Sequence, residues 1–170
     1  MPNERPPSLD PIAASRWAHL PLKTSVKAVQ AESPWLHEEV ARRMADRLAF
    51  IRLQPKTWVC WNPLRAGLNA LALLQKIYPK SQGHLTAERP GESEWVKASL
   101  NPPWWKLQAW GRQRLQTGAL ASHSMDMVWA NMLLHQQASP QELLAEWHRV
   151  LAVDGFLMFS CLGPDTLVEL

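Results

Sequence analysis

The sequence predicts an α/β protein built around a parallel sheet, and three observations carry that expectation. Two continuous apolar runs, Met127-Val128-Trp129-Ala130 and residues 156–161, read as strands buried on both faces. Between them lies a helix of clear amphipathic period, so strand, helix and strand alternate along the chain. A third run, Thr57-Trp58-Val59-Cys60-Trp61, is rich in β-favouring residues and is followed by another helical stretch. One domain over residues 33–170 is expected, preceded by a proline-rich segment, 1–32. A chain of 170 residues is long enough to bury a proper core.

Within 1–32 the prolines leave only a helical candidate at 12–19. The next helix is expected to begin at Ser33-Pro34, where Ser caps free amides and Pro suits the first helical position. Leu36, Val40, Met44 and Leu48 recur every four residues, while Glu38, Glu39, Arg42, Arg43, Asp46 and Arg47 take the other faces. The strand at 57–61 is closed by Asn62-Pro63. A helix then spans 66–78, with Leu68, Leu71, Ala72, Leu74 and Ile77 on one face and Pro79 as its stop. Residues 83–87 are expected as a second strand, and Trp95-Val96 as the opening of a short third one. Ser139-Pro140-Gln141-Glu142 is a capping box, and Leu143, Leu144, Trp147, Val150 and Leu151 carry the apolar stripe behind it. Asp154-Gly155 is expected to end that helix.

Several function classes are disfavoured by composition. The net charge is +3 with no block of five like charges, so nucleic-acid binding has little support. No apolar run approaches the ~20 residues that cross a bilayer. The polar start of the chain holds no hydrophobic signal region, and two cysteines make no disulfide scaffold, so a cytoplasmic setting is expected. Cys60 and Cys161, at the ends of the first and last of the apolar runs above, are expected as buried thiols. The six histidines show no metal-ligand spacing, so no metal site is expected. Ten Trp beside only seven Gly is the oddity of the composition.

The strand-four segment from Met127 to His135, then Glu146-Trp147-His148-Arg149-Val150-Leu151 and Gly155-Phe156-Leu157-Met158-Phe159-Ser160, resembles the class I S-adenosylmethionine (SAM) methyltransferases. Leu9-Asp10-Pro11, Ala45-Asp46-Arg47-Leu48, and Gly163-Pro164-Asp165-Thr166-Leu167 with Glu169-Leu170 are similar to the malonyl-acyl-carrier-protein O-methyltransferase of biotin synthesis and its relatives. The resemblance implies a Rossmann-like fold whose parallel sheet stops after strand five, SAM as cofactor, and an acyl-carrier protein as partner.

The resemblance also locates a cofactor loop after strand one. There Cys60 stands where the family has an acidic residue, and Asn62, Leu64 and Ala66 stand on its three glycines. Gly67 is one place late, and Pro63 removes a backbone amide. Cofactor-binding candidates are therefore Asn62, Ala66, Gly67 and Glu88, the last lying beside Ala87 at the end of strand two, where the family binds ribose. Glu88 also reads as a solvated loop charge. The acid expected after strand three is missing from Val96-Lys97-Ala98-Ser99-Leu100. Leu64 is expected to push a branched side chain toward the amino-acid end of SAM.

Asn131, ending strand four at the mouth of the sheet, reads equally as a ligand-binding group or as a cap for the next turn. His135 reads as a substrate-facing group or as a structural one. The cluster Trp104, Trp105, Trp110, Lys106, Arg112 and Arg114 reads as a packed lid or as a surface for a nucleic acid or carrier protein. A carboxylate acceptor needs no general base, so a missing triad is uninformative. The rival to an enzyme is a non-catalytic scaffold in which Trp58, Trp61, Trp104 and Trp105 have filled the cofactor cavity. Residues 156–161, with Phe156 and Cys161 at their ends, are then expected as an apolar edge strand through which the chain self-associates.

Overall fold

The computed structural model describes residues 9–18, 34–89, 91–100, 115–163 and 166. The Trp104, Trp105 and Trp110 cluster, most of the proline-rich segment and most of the closing 164–170 motif lie outside the described residues. The elements are α1 (Pro11–Ala18), α2 (Trp35–Leu48), β1 (Thr57–Trp61), α3 (Pro63–Ala66), α4 (Asn69–Ile77), β2 (Gln82–Thr86), α5 (Glu92–Leu100), β3 (Gln116–Thr117), β4 (Met125–Ala130), a 3-10 turn (Leu134–Gln136), α6 (Pro140–Val150) and β5 (Leu151–Phe159). All strand pairs are parallel, in the order β3-β2-β1-β4-β5. The expected doubly wound α/β architecture is therefore present.

Alternation along β1 and β4 divides the core in two. Trp58, Cys60, Met127 and Trp129 face one side, packed with Ala41, Met44 and Leu48 of α2 and Leu71 and Leu74 of α4. Val59, Trp61, Val128 and Ala130 face the other, packed with Trp147 and Val150 of α6. Helices thus cover both faces of β1 and β4, which is why those strands are apolar throughout. Trp58 is held by a neighbour without a side chain. It lies beside Gly83 in register, and a Cβ on Gly83 would come within 2.5 Å of the indole ring. Trp58 is therefore a core residue of the sheet.

Five local expectations are corrected. Trp95 and Val96 lie in α5, not in a strand: Glu92 and Glu94 favour the positive start of a helix, and Val96 turns into the core. Strand three is the pair Gln116–Thr117. The helix expected over 66–78 breaks at Gly67, whose φ of 104° no helix accommodates, so α3 and α4 are separate. The second strand starts and ends one residue earlier than expected. The last strand begins at Leu151, directly after α6, and absorbs Asp154-Gly155 as an irregularity at Asp154 (φ 64°) with a register shift against Met125 and Met127. Gly155 is close-packed there, since a Cβ would meet the carbonyl oxygens of Ala152 and Asp126.

Ser139 precedes α6 but makes no side-chain capping bond, because its backbone (φ −127°, ψ 77°) leaves the capping geometry unformed. Ser33 lies outside the described residues, and α2 starts at Trp35 behind Pro34. Cys161 is exposed beyond the end of β5, whereas Cys60 is buried in β1, and both are free. Asp126 at the other end of the sheet accepts bonds from the Lys56 and Thr57 amides at 2.8 and 2.9 Å, fixing where β1 begins.

Candidate cofactor and substrate site

In this strand order the sheet reverses between β1 and β4, and a crevice opens at the carboxyl ends of those strands. Each of the two strands delivers a buried asparagine to that crevice: Asn62 follows β1 and Asn131 follows β4. Asn62 has a left-handed backbone (φ 47°), a conformation Asn tolerates better than most residues. Its amide donates to Thr86 at 2.8 Å, prolonging the β1–β2 pairing by one step.

The Asn62 side chain reaches Glu88 and forms a reciprocal pair with it. Asn62 Nδ2 donates to Glu88 Oε1 at 3.0 Å, and the Glu88 amide donates to Asn62 Oδ1 at 2.9 Å. Gln137 Nε2 donates to the same Glu88 oxygen at 2.7 Å. Glu88 is nevertheless exposed, on the wall of a cleft of about 400 Å³ that Trp61, Thr86, Gln137, Ser139 and Glu142 also line. A carboxylate fixed at the end of a strand beside an open cleft is a ready acceptor for ligand hydroxyls. β2 ends at Thr86, one residue earlier than expected, and this shift together with the Asn62 pair brings Glu88 to the mouth of the cleft.

At the other end of the loop the polar groups turn inward. Asn131 Nδ2 donates to the carbonyls of His37 (2.8 Å) and Ala66, and Ser160 Oγ donates to Asn131 Oδ1 at 2.7 Å. The Met132 amide, in a residue with φ 53°, is satisfied by Ser160. His37 Nδ1 donates to the Arg65 carbonyl at 2.7 Å, so the proton sits on that nitrogen. Ala66 is thus held by its backbone. Leu64 is buried in the core cluster of α2 and α4, so its branched side chain does not enter the crevice as expected.

Gly67 approaches α2 closely. A Cβ there would lie 3.0 Å from the carboxyl carbon of Glu38, and Glu38 Oε1 accepts from the Asn69 amide at 3.3 Å. Burial, and then the charge of Glu38, push the Cys60 thiol well above its ordinary value, so it stays a neutral thiol. His135, in the 3-10 turn, is half-buried; burial and the nearby His37 hold its ring below the usual histidine value. Burial is also the main reason the Arg65 guanidinium lies below, and the Glu92 carboxyl above, their usual ranges.

His37, Glu38, Gln137 and Ser160 were not singled out by sequence reasoning. Glu38 reads there as one more polar residue on the outer faces of a helix, and no local spacing marks its contact with Gly67. No group of three metal-ligating side chains exists among the described residues.

The strand order, the helices on both faces and the crevice at the β1–β4 switch define a Rossmann-like α/β domain, the fold that class I methyltransferases share. Residues 93–159 match the family described as a methyltransferase domain. Within that class the chain is similar to the malonyl-[acyl-carrier protein] O-methyltransferases. It is 38% identical to that of Laribacter hongkongensis over 146 residues, covering 79% of this chain and 47% of the relative. The Gallionella capsiferriformans protein of the same name is 36% identical over 141 residues, with the same coverage. The chain thus spans about half the length of these relatives.

Among solved structures, the fold matches the plantazolicin methyltransferase BpumL in complex with SAH. The TM-score is 0.60 at 13% identity, over 92% of this chain and 60% of that one. It also matches the complex of the Haloferax volcanii Trm112 methyltransferase activator with a methyltransferase, at a TM-score of 0.55 and 17% identity, over 86% of this chain and 57% of that one.

Proposed function

We propose that the chain is the cofactor-binding portion of a SAM-dependent O-methyltransferase whose acceptor is the carboxylate of a malonyl group on an acyl-carrier protein. The observation that carries this reading is Glu88, exposed beside the cleft and held there by Asn62 and Gln137. The residues fit the nucleoside end of SAM: Glu88 would accept from the ribose hydroxyls, and Trp61 and Leu143 supply apolar wall. Around Asn62 and Pro63 the loop offers fewer backbone amides than a glycine-rich turn, so side chains take over the positioning. SAM brings an already activated methyl group, so the protein's part is to align it with the acceptor and to exclude water. No general base is required, since a carboxylate acceptor is ionised at neutral pH.

Calorimetric titration with SAM tests the first half of this reading. Binding that is lost in Glu88→Ala supports it, and transfer of labelled methyl to malonyl-acyl-carrier protein tests the acceptor. An absence of thermal stabilisation at millimolar SAM would instead identify a methyltransferase-like fold kept as an interaction module. β5 is the last strand on its side of the described sheet, with Val153 86% exposed. Self-association through that edge is part of the proposal; a monomer in light scattering at high concentration removes it. No described helix is long and apolar enough to cross a membrane.

A further inference from the structure

We infer that Gln137 is a specificity-determining residue at the ribose end of the cleft. It leaves Glu88 a single free oxygen, so the site reads one ribose hydroxyl and not the vicinal pair. This rests on the proposed SAM-binding reading and deepens it. An ionised carboxylate offers about four acceptor positions, about two on each oxygen. On Glu88 Oε1 both are taken: Asn62 Nδ2 donates to it at 3.0 Å and Gln137 Nε2 at 2.7 Å. Glu88 Oε2 accepts from no group among the described residues. The oxygen left for a ligand is therefore Oε2, on a residue that is exposed and lines the open cleft.

Both donors are held from behind. Asn62 is buried, and the Glu88 amide returns a bond to its Oδ1 at 2.9 Å, so Asn62 turns away only by losing both contacts. Gln137 is half-buried and follows the 3-10 turn after β4, where its own amide donates to the Leu134 carbonyl at 3.3 Å. Its side chain crosses from the β4 side of the crevice to the end of β2, and Gln137 lines the same cleft as Glu88. A short hydrogen bond to a charged group is among the stronger ones, and a ligand hydroxyl that took its place would gain only what the amide gave up. Vicinal hydroxyls fit a carboxylate best when each meets its own oxygen. With Oε1 filled, one ribose hydroxyl meets Oε2 and the other is left to the solvent of the cleft.

The test compares three ligands by calorimetry: SAH and its 2′-deoxy and 3′-deoxy analogues. For the unsubstituted protein, loss of one hydroxyl is expected to weaken binding about tenfold, and loss of the other to change it by less than about twofold. Gln137→Leu keeps the bulk but removes the donor, which frees one position on Oε1. In that variant the loss of either hydroxyl is expected to cost about tenfold, and SAH itself to bind about tenfold tighter. Should Gln137→Leu fail to fold, Gln137→Ala is expected to show the same pattern. If both deoxy analogues bind weakly to the unsubstituted protein, the ligand displaces Gln137 and the inference is overturned. A variant with the same selectivity as the unsubstituted protein also overturns it. If SAH binds and neither hydroxyl matters, Glu88 does not read the ribose, and the inference fails while SAM binding stands. If SAH does not bind at millimolar concentration, the SAM reading itself fails, and this inference with it.

Discussion

Asn62 and Asn131 sit at the carboxyl ends of adjacent strands, are almost equally buried (2% and 0% exposed), and are put to different uses. Asn62 spends its side chain on Glu88, a residue that faces solvent and the cleft. Asn131 spends its own on the carbonyls of His37 and Ala66 and on the Ser160 hydroxyl, all within the protein. The first asparagine aims a charged group outward; the second ties α2, the loop after β1 and the end of β5 together. Burial alone therefore does not tell a structural amide from one that serves a site. What distinguishes them is where their partners point.

The largest effect is expected from breaking the inward asparagine. Asn131→Ala removes the partner of two carbonyls and a hydroxyl at a site closed to water, and should cost about 3 kcal/mol or more in denaturant unfolding. A cost below about 1 kcal/mol would mean that the two asparagines are not functionally distinct. Gly67→Ala is expected next, at about 1–3 kcal/mol, because a φ of 104° strains any Cβ and the new methyl meets Glu38. Here the readout is the thermal midpoint without ligand.

On the outward side stability should change less. Glu88→Ala truncates an exposed residue but takes the acceptor from the buried Asn62 amide, and is expected to cost about 1 kcal/mol in the absence of ligand. Its larger effect belongs to binding. Ligand at a hundred times its dissociation constant adds ~2.7 kcal/mol to the unsubstituted protein, and that gain should vanish in the variant. A Glu88→Ala protein that unfolds as readily as Asn131→Ala would place both asparagines in one structural network.

The fold was legible where apolar period was strong. β1, β4 and α2 emerged from runs such as Trp58 to Trp61 and the four-residue recurrence of Leu36, Val40, Met44 and Leu48, since these faces are buried as the pattern requires. It was less legible where a single backbone torsion decided the outcome. Gly67 split a helix that periodicity alone would continue, and Asp154-Gly155 bent a strand where a helix stop was expected. The site was half legible. Glu88 and Asn131 were found because they follow strands, whereas His37 and Glu38 come from a helix some thirty residues before the loop they contact. No local spacing encodes such a contact; it exists only once α2 packs on α4 beside β1.

The smallest expected effect is a pH dependence at the inward side. Burial, and then the charge of His37, hold the His135 ring below its ordinary value, so the folded state favours the neutral imidazole. As pH falls through about 6.5, an unfolded chain takes up a proton at His135 before the folded one does. The unfolded state then holds more protons, and stability declines with falling pH. The contribution is fully present above about 6.5 and is lost as pH drops through the folded value. His84, on β2, is shifted the same way by burial, so it adds a second decline over the same window. Measuring the thermal midpoint from pH 7.5 to 5 in His135→Gln and His84→Gln separates the two. Each variant should flatten part of the slope, and the His135 part should shrink further when His37→Gln removes the neighbouring charge. If His135→Gln leaves the slope unchanged, the ring is solvated in the folded protein, and the inward side is less closed than Asn131 makes it.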